Sequence, residues 1–284
     1  RQGRYVWAQR APSDHWILYA SVARSGDHIL WDDNTAWSSA FDRGAGSTIH
    51  RVYLDEEIEV VATPGLHHAF FEHPDSTLSW GALQPRQNEA LMELAPGAYT
   101  PVEVWNCIDD WPGVGHCESN SLYYDDAADT YLYSFYTNSS VVEIDRSTGS
   151  TMWWAGDQSG GYAFNPPDKN FFWQHGINRT PDGTVLVSSE TFDNGYRTKM
   201  YEYNLDHKAQ ELQLVWEYDS GVHGEYNGDA RRLPNGNTLH ATGTGGHIHE
   251  VAPDGTRVWA VTFPGHYNIG RAELIEDLYD LVAP

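Results

Sequence analysis

The 284 residues carry 17 basic against 40 acidic side chains, a formal charge of −23 at neutral pH. A surface of that sign repels nucleic acid and anionic membranes, so neither is expected as a partner, and an anionic substrate must find a local cluster of His and Arg. Hydrophobic residues make up 40% of the chain, enough for a packed core. No apolar run approaches the roughly 18–20 residues of a membrane span, and 12 Trp, 17 Tyr and 9 Phe favour strands over helices.

In chain order, HWILYASVARSGDHILWDD (15–33) and TIHRVYLDEEIEVVAT (48–63) read as four strands. The intervening DNTAWSSAFDRGAG (33–46) is rich in oxygen donors but lacks the spacing of an EF-hand loop. HHAFFEHPDSTLSW (67–80) is then two strands joined by a Pro-Asp turn, and VEVW (102–105) closes that unit. Cys107 and Cys117 flank a Gly/Pro-containing loop, spacing that suits a disulfide in an oxidising compartment; a reactive thiolate would need a base beside it. Asp109, Asp110 and Trp111 in this loop could shape a substrate entry or anchor the loop itself.

The pattern recurs as NSLYYDDAADTYLYSF (120–135) with SVVEIDRSTGSTMWW (140–154), as HGINRTPDGTVLVSS (175–189) with LVWEY (214–218), and as GDARRLPNGNTLHATG (228–243) with HIHEVAPDGTRVWAV (247–261). Pro presets each Pro-Asx-Gly turn and Gly accepts its positive φ. Between them, residues 156–170 read as a long loop. Equivalent hairpins recur every 40 to 55 residues or so, the length of a four-stranded propeller blade. Five units are complete; IGRAELIEDLYDLV (269–282) begins a sixth that RYVWAQ (4–9) would finish. The expectation is one all-β domain over residues 1–284, a six-bladed propeller, with five blades as the alternative.

In a propeller the first strand of each blade lines the channel, so the residues opening those strands converge. Here they are His67 and His68, Asn120, His175, Gly228 with Asp229, and Arg271. Imidazoles, an amide and a guanidinium together suit an anion. Of His67 and His68, only one can face the channel in a regular strand.

QHGINRTPDGTVLVSS, GDARRLPNGNTLHATG with GGHIHEVAPDGTRVWAV, and RAELIEDLY together resemble the arylsulfotransferase family of β-propellers, and HHAFFEHPDSTL and NSLYYDD fit the same pattern. The resemblance covers most of residues 65–284. It implies nucleotide-independent transfer of sulfate between phenols in the periplasm, by a ping-pong route through a sulfohistidine, with no cofactor. The Gln-His motif makes His175 the nucleophile, and the family's early His falls at His67 or His68. Its His-x-Asn-Ser motif meets HCESNS, where Asn120 and Ser121 match. Glu118 holds the His position unless a gap admits His116, and Tyr136 stands where the family carries an Arg.

The residues support this chemistry by themselves. A neutral imidazole is a competent nucleophile toward sulfuryl groups and a good general base. Transfer needs donors around the group's oxygens, for which Asn120, His68, Arg271 and His116 are candidates; His175 could equally be a structural channel residue. Glu118, Tyr136 and His223 are expected around the substrate. His247 and His249 share a strand face, but the sequence shows no third ligand of a zinc site, so no metal is expected. The expected function is an exported, periplasmic or extracellular transferase acting on a small aromatic or anionic substrate. The alternatives are a lyase or hydrolase of anionic polysaccharide using Tyr136 with His175, and a non-catalytic glycan- or ligand-binding propeller.

Overall fold

A computed structural model describes residues 8, 10–12, 14–39, 41–53, 55, 57–85, 88–192, 195–263, 265 and 267–275. Among them are five sheets, each built from a chain-consecutive run of strands. The first joins β1 (Ala20–Val22), β2 (His28–Asp33), β3 (Thr48–Tyr53) and β4 (Ile58–Ala62); the second joins β5 (Leu66–Glu72), β6 (Leu78–Gln84), β7 (Asn88–Leu94) and β8 (Val102–Asn106). After a four-residue helix, α1 (Cys107–Asp110), the third joins β9 (Ser119–Asp125), β10 (Thr130–Phe135), β11 (Ser140–Asp145) and β12 (Thr151–Ala155). The fourth runs β14 (His175–Arg179), β15 (Val185–Thr191), β16 (Arg197–Asp206) and β17 (Glu211–His223), and carries β13 (Ala163–Asn165) outside β17. The last contains β18 (Asp229–Arg232), β19 (Thr238–Ala241), β20 (His247–Val251) and β21 (Arg257–Thr262).

These are propeller blades, and each hairpin expected from the sequence is present. Two expectations change. Five blades, not six, are formed among the described residues. The sixth was expected from residues 4–9, of which only Ala8 is described, and from a C-terminal stretch described only to Ile275. In that stretch Ile269 makes a single bridge to Gly243, and Arg271 and Glu273 enter ion pairs instead of a ladder. Residues 156–170 are also not all loop, because β13 pairs in parallel with Glu211–Gln213 and covers the outer edge of β17.

The strands form two compact units. One comprises the chain up to Gln84 with Met92–Val102, and its core gathers Leu30, Ile49, Leu66, Phe70, Leu78 and Trp80. The other comprises Pro85–Leu91 with Glu103–Leu274, with a core of Leu132, Val141, Trp153, Phe171, Val185, Val187, Tyr201 and Tyr203. In this second unit β15 is buried along its whole length, so it reads as continuous VLVSSET rather than as an in/out alternation.

At three of the inner hairpins, charge joins one blade to the next. Arg179, the last residue of β14, donates to Glu143 of β11 at 2.7 Å and to the turn carbonyl of Gly183 at 3.2 Å. Glu143, buried, also accepts from Thr130 Oγ1 and Trp153 Nε1. Arg232, the last residue of β18, repeats the arrangement with Glu202 of β16 and the Gly236 carbonyl. In the first unit the signs are exchanged: Glu72 ends β5 and accepts from Arg51 of β3 at 2.7 Å, while Arg51 reaches the turn carbonyl of Ser76. A buried pair with every lone pair occupied holds its geometry, whereas removing one partner strands the other. Glu143→Gln and Arg179→Met should each cost about 3 kcal/mol of stability in urea unfolding, and the double variant about 2 kcal/mol less than their sum. Strict additivity would show the pair to be uncoupled.

Candidate active site

The site is built where β14 begins. His175 is opposite Ser188 and Ile177 opposite Val187, so one extra residue, Gly176, forms a bulge at the head of the strand. Gly176 has φ +65°, and a Cβ there would lie 2.5 Å from Asp229 Oδ1, so only glycine permits this approach of β14 to β18. The main chain is then pinned on both sides of His175. Asn120 Nδ2 donates to the Gln174 carbonyl at 2.6 Å, and the Ile177 N–H donates to Ser121 Oγ at 3.1 Å. Buried Gln174 sends its amide to Ser134 Oγ, Phe135 O and Ser140 O, and Ser134 Oγ donates to Asn120 Oδ1 at 3.0 Å. The Asn-Ser and Gln-His pairs legible in the sequence are therefore two halves of one clamp.

His175 Nδ1–H donates to the Trp173 carbonyl at 3.0 Å, which fixes the tautomer and leaves Nε2 with the lone pair. Trp173 has φ +44°, rare for an aromatic residue, and its N–H is held by Ser139 Oγ. Burial of the ring pushes the His175 pKa down to about 4, opposed by the bond to Trp173. At neutral pH His175 is thus an uncharged imidazole of defined orientation.

Glu118, Tyr136 and His116 form a separate group beside the Cys107–Cys117 disulfide. Tyr136 OH donates to Glu118 Oε2 at 2.5 Å, the Glu118 N–H to Thr137 Oγ1 at 3.0 Å, and His116 Nε2 lies 4.0 Å from Glu118 Oε1. Burial, with Glu118 adjacent, pushes the Tyr136 phenol well above its usual range. Asp110 and Trp111 are structural: the carboxylate caps Asn106 N, and the indole is buried against Trp105 and Phe135. His223 is exposed at the end of β17, edge-on to Tyr196.

Arg271 is not an isolated cation. It bonds Glu273 and lies 3.7 Å from Asp229, which also pairs with Arg231 at 2.8 Å. Two guanidiniums and two carboxylates therefore pair with one another, a near-neutral island in an acidic protein, and of the four Asp229 is the one against Gly176. Arg231 was not singled out from the sequence; its place two residues after Asp229 on an inner strand was the available signal.

In the first unit His67 is buried and His68 half-buried. Regular alternation would separate them, but register shifts between Leu66 and Phe70, and the two Nδ1 atoms lie 2.7 Å apart, so one ring donates to the other. Trp37 stacks edge-on to His68 and donates to the His67 carbonyl. His247 and His249 do share a face, 5.7 Å between ring centres, but Tyr218 OH and the Arg257 guanidinium occupy the His249 nitrogens.

Near the end of β15, the hairpin strand opposite His175, lies Glu190, which no sequence motif marks. Its residue is 3% exposed, and neither carboxyl oxygen has a hydrogen-bond partner among the described residues. Burial, reinforced by Glu225, pushes its pKa up to about 8. Around its strand end stands an aromatic rim of Phe172, Trp173, Phe192 and Tyr196, ring centres 4.6–6.2 Å apart.

With this geometry in place, comparison with known proteins gives the family. The arylsulfotransferase (ASST) family matches residues 109–264, more than half of the chain, and the protein belongs to that family. No curated protein matches it. Solved structures share the fold. A protein of unknown function from Bacteroides caccae superposes with a TM-score of 0.60 at 15% identity, covering 91% of this chain and 85% of its own. A putative 6-phosphogluconolactonase from Bacteroides fragilis gives 0.54 at 14% identity, covering 84% and 69%. TolB from Acinetobacter baumannii gives 0.56 at 13%, covering 85% and 53%. At these identities the likeness is of fold alone.

The raised Glu190 pKa has a thermodynamic signature. In the unfolded chain this carboxyl ionises near its ordinary 4.5, so between pH 4.5 and 8 the folded state holds a proton that the unfolded state has released. Its stabilising effect is therefore full below pH 4.5 and lost as pH rises to 8, at about 1.4 kcal/mol per pH unit. Glu190→Gln should gain stability over wild type by a few kcal/mol between pH 5 and pH 8.5 in denaturant midpoints. A constant difference across that range would show that Glu190 is ionised in the fold.

Proposed function

We propose that the protein is an exported sulfuryl transferase that moves sulfate between phenolic compounds through His175. One observation carries this reading: the imidazole is neutral, and its Nδ1–H is committed to the Trp173 carbonyl, so the nucleophilic lone pair sits on Nε2. Nε2 attacks the sulfur of an aryl sulfate, the N–S bond forms, and the S–O(aryl) bond breaks with its electron pair leaving on the phenolic oxygen. A second phenol then attacks sulfur and returns the imidazole. No cofactor enters either half. Family membership and the clamp of Asn120, Ser121 and Gln174 support the assignment of His175.

The paired Arg231 and Arg271 with Asp229 and Glu273 bear on substrate charge. A sulfate ester approaching an acidic protein meets repulsion, and a locally balanced quartet lowers it. The aromatic rim supplies ring faces of the kind a phenol stacks against. Export agrees with the disulfide, and among the described residues no helix is long and apolar enough to cross a membrane. The lyase alternative is disfavoured by Tyr136, whose O–H donates to Glu118 and whose pKa is raised rather than lowered.

The test is phenol release from an aryl sulfate in the presence of a phenolic acceptor. Wild type should turn over with ping-pong kinetics, and His175→Ala should fall by about 10³-fold or more. The acid limb of kcat/KM should lie near pH 4, where His175 protonates, not near 6.5. Activity that survives His175→Ala removes this mechanism.

A further inference from the structure

Glu190 is a group the reaction above does not use, and it is costly to keep. A buried carboxyl with no partner for either oxygen among the described residues loses its hydration without recompense. Its position follows from register. His175 is opposite Ser188, and Ser188 and Glu190 are two residues apart on β15, so all three side chains lie on one face of the sheet. Glu190 also donates its main-chain N–H to Phe172 O at 3.0 Å, while the next carbonyl, that of Trp173, holds His175 Nδ1. The carboxyl and the imidazole thus flank the same strained Phe172–Trp173 segment, beneath the aromatic rim.

The groups facing Glu190 are few. Glu225, in the loop after β17, is the charge that acts on it. Thr198, directly opposite on β16, is occupied with Ser220, and its methyl packs under Gly224. From β19, His240 approaches Ser188 Oγ at 3.4 Å, and burial holds its pKa down to about 3, so it brings no positive charge. His175 is neutral too. With no cation among these neighbours, Glu190 keeps its proton at neutral pH.

We propose that Glu190 is the general acid and base of this site, giving a proton to the departing phenolic oxygen and taking one from the incoming phenol. The proposal rests on His175 being the reacting group. In the first half-reaction Nε2 bonds to sulfur, the S–O(aryl) bond breaks, and its electron pair takes the Glu190 proton, leaving a neutral phenol and a Glu190 carboxylate. In the second, that carboxylate removes the proton of the acceptor phenol as its oxygen bonds to sulfur and the N–S bond breaks. Both groups end as they began, and no co-reactant is consumed. The rim rings Trp173 and Phe192, each more than a third exposed, offer faces for the phenol, and the loop after β17, with Gly224 over Thr198 and Glu225 acting on Glu190, is the element that must yield for the oxygen to reach the carboxyl.

The experiment compares wild type with Glu190→Gln, a near-isosteric change, on 4-nitrophenyl sulfate and phenyl sulfate. Donor kcat/KM reports only the first half-reaction, and the poorer leaving group needs the acid more. Glu190→Gln should lose about 10²-fold more on phenyl sulfate than on 4-nitrophenyl sulfate. Equal losses on both donors, or no loss on either, overturn the proposal. A second measurement is independent of turnover: binding of 4-nitrophenolate, followed by its visible absorbance. In wild type its affinity should fall about tenfold per pH unit above pH 8, where Glu190 becomes an anion, and in Glu190→Gln it should stay flat. Identical pH profiles, or no binding by wild type, overturn the role of Glu190. If this profile is seen while neither sulfate is cleaved, the sulfuryl reaction fails and the proton-holding carboxyl stands.

Discussion

The interaction on which much of this architecture depends is the arginine–carboxylate pair at the base of three of the inner hairpins. A four-stranded blade buries little by itself and must be fixed to its neighbour. Apolar packing supplies attraction but slides easily, because Val, Leu and Tyr faces tolerate small shifts. The guanidinium does not. Arg179 ties the β14–β15 turn to Glu143 of the preceding blade, and Arg232 repeats this with Glu202 one blade later. The exchange of signs at Arg51 and Glu72 shows that the requirement is for a satisfied pair at that place, whichever strand carries the cation. With Arg179 held at one end of β14, His175 at the other end is held in register too.

The site uses the opposite strategy. Where the pairs hold by occupying both oxygens of their carboxylates, the head of β14 carries departures from regular structure. Gly176 makes a bulge, Trp173 adopts a positive φ, and Glu190 is buried without a partner. Such features are expensive and persist where the surrounding structure over-determines them. Here Asn120, Ser121, Ser134, Ser139 and Gln174 do so with short hydrogen bonds to main chain and side chain. The consequence is chemical: a neutral imidazole with one nitrogen committed, on the same sheet face as a buried carboxyl whose pKa is raised. Two titratable groups pushed in opposite directions on one face are what a reaction needing a nucleophile and a proton donor requires.

The family's pattern and this chain differ at Glu118 and Tyr136, and the structure gives those two residues a shared purpose. They bond each other beside the disulfide. Where the family resemblance would place a histidine, unless a gap admits His116, and an arginine, this chain carries a carboxylate and a phenol that bond each other. Arg231, Asp229, Arg271 and Glu273 form a compensated quartet, of which Asp229 lies against Gly176. The field around His175 is therefore set more by neutral donors and balanced charge than by any single fixed cation.

How much of this was legible beforehand follows from the range of each interaction. The alternation of apolar residues, the Pro-Asx-Gly turns and the blade-length repeat are local, so the sequence by itself determined the strands, the hairpins, the propeller class and the place of His175 at the head of one strand. The disulfide was readable for the same reason, its two cysteines being close in the chain. Tertiary structure decided what depends on partners distant in sequence. The bond of Asn120 to Gln174 spans 54 positions, and the approach of Asp229 to Gly176 is set by packing of one blade on the next. The bulge that brings His67 against His68 breaks the period-two rule that predicted their separation. The state of Glu190 was beyond reach for a simpler reason. A glutamate's charge is a property of what surrounds it, and neither the burial of that carboxyl nor the loop bearing Glu225 above it is written in the residues on either side.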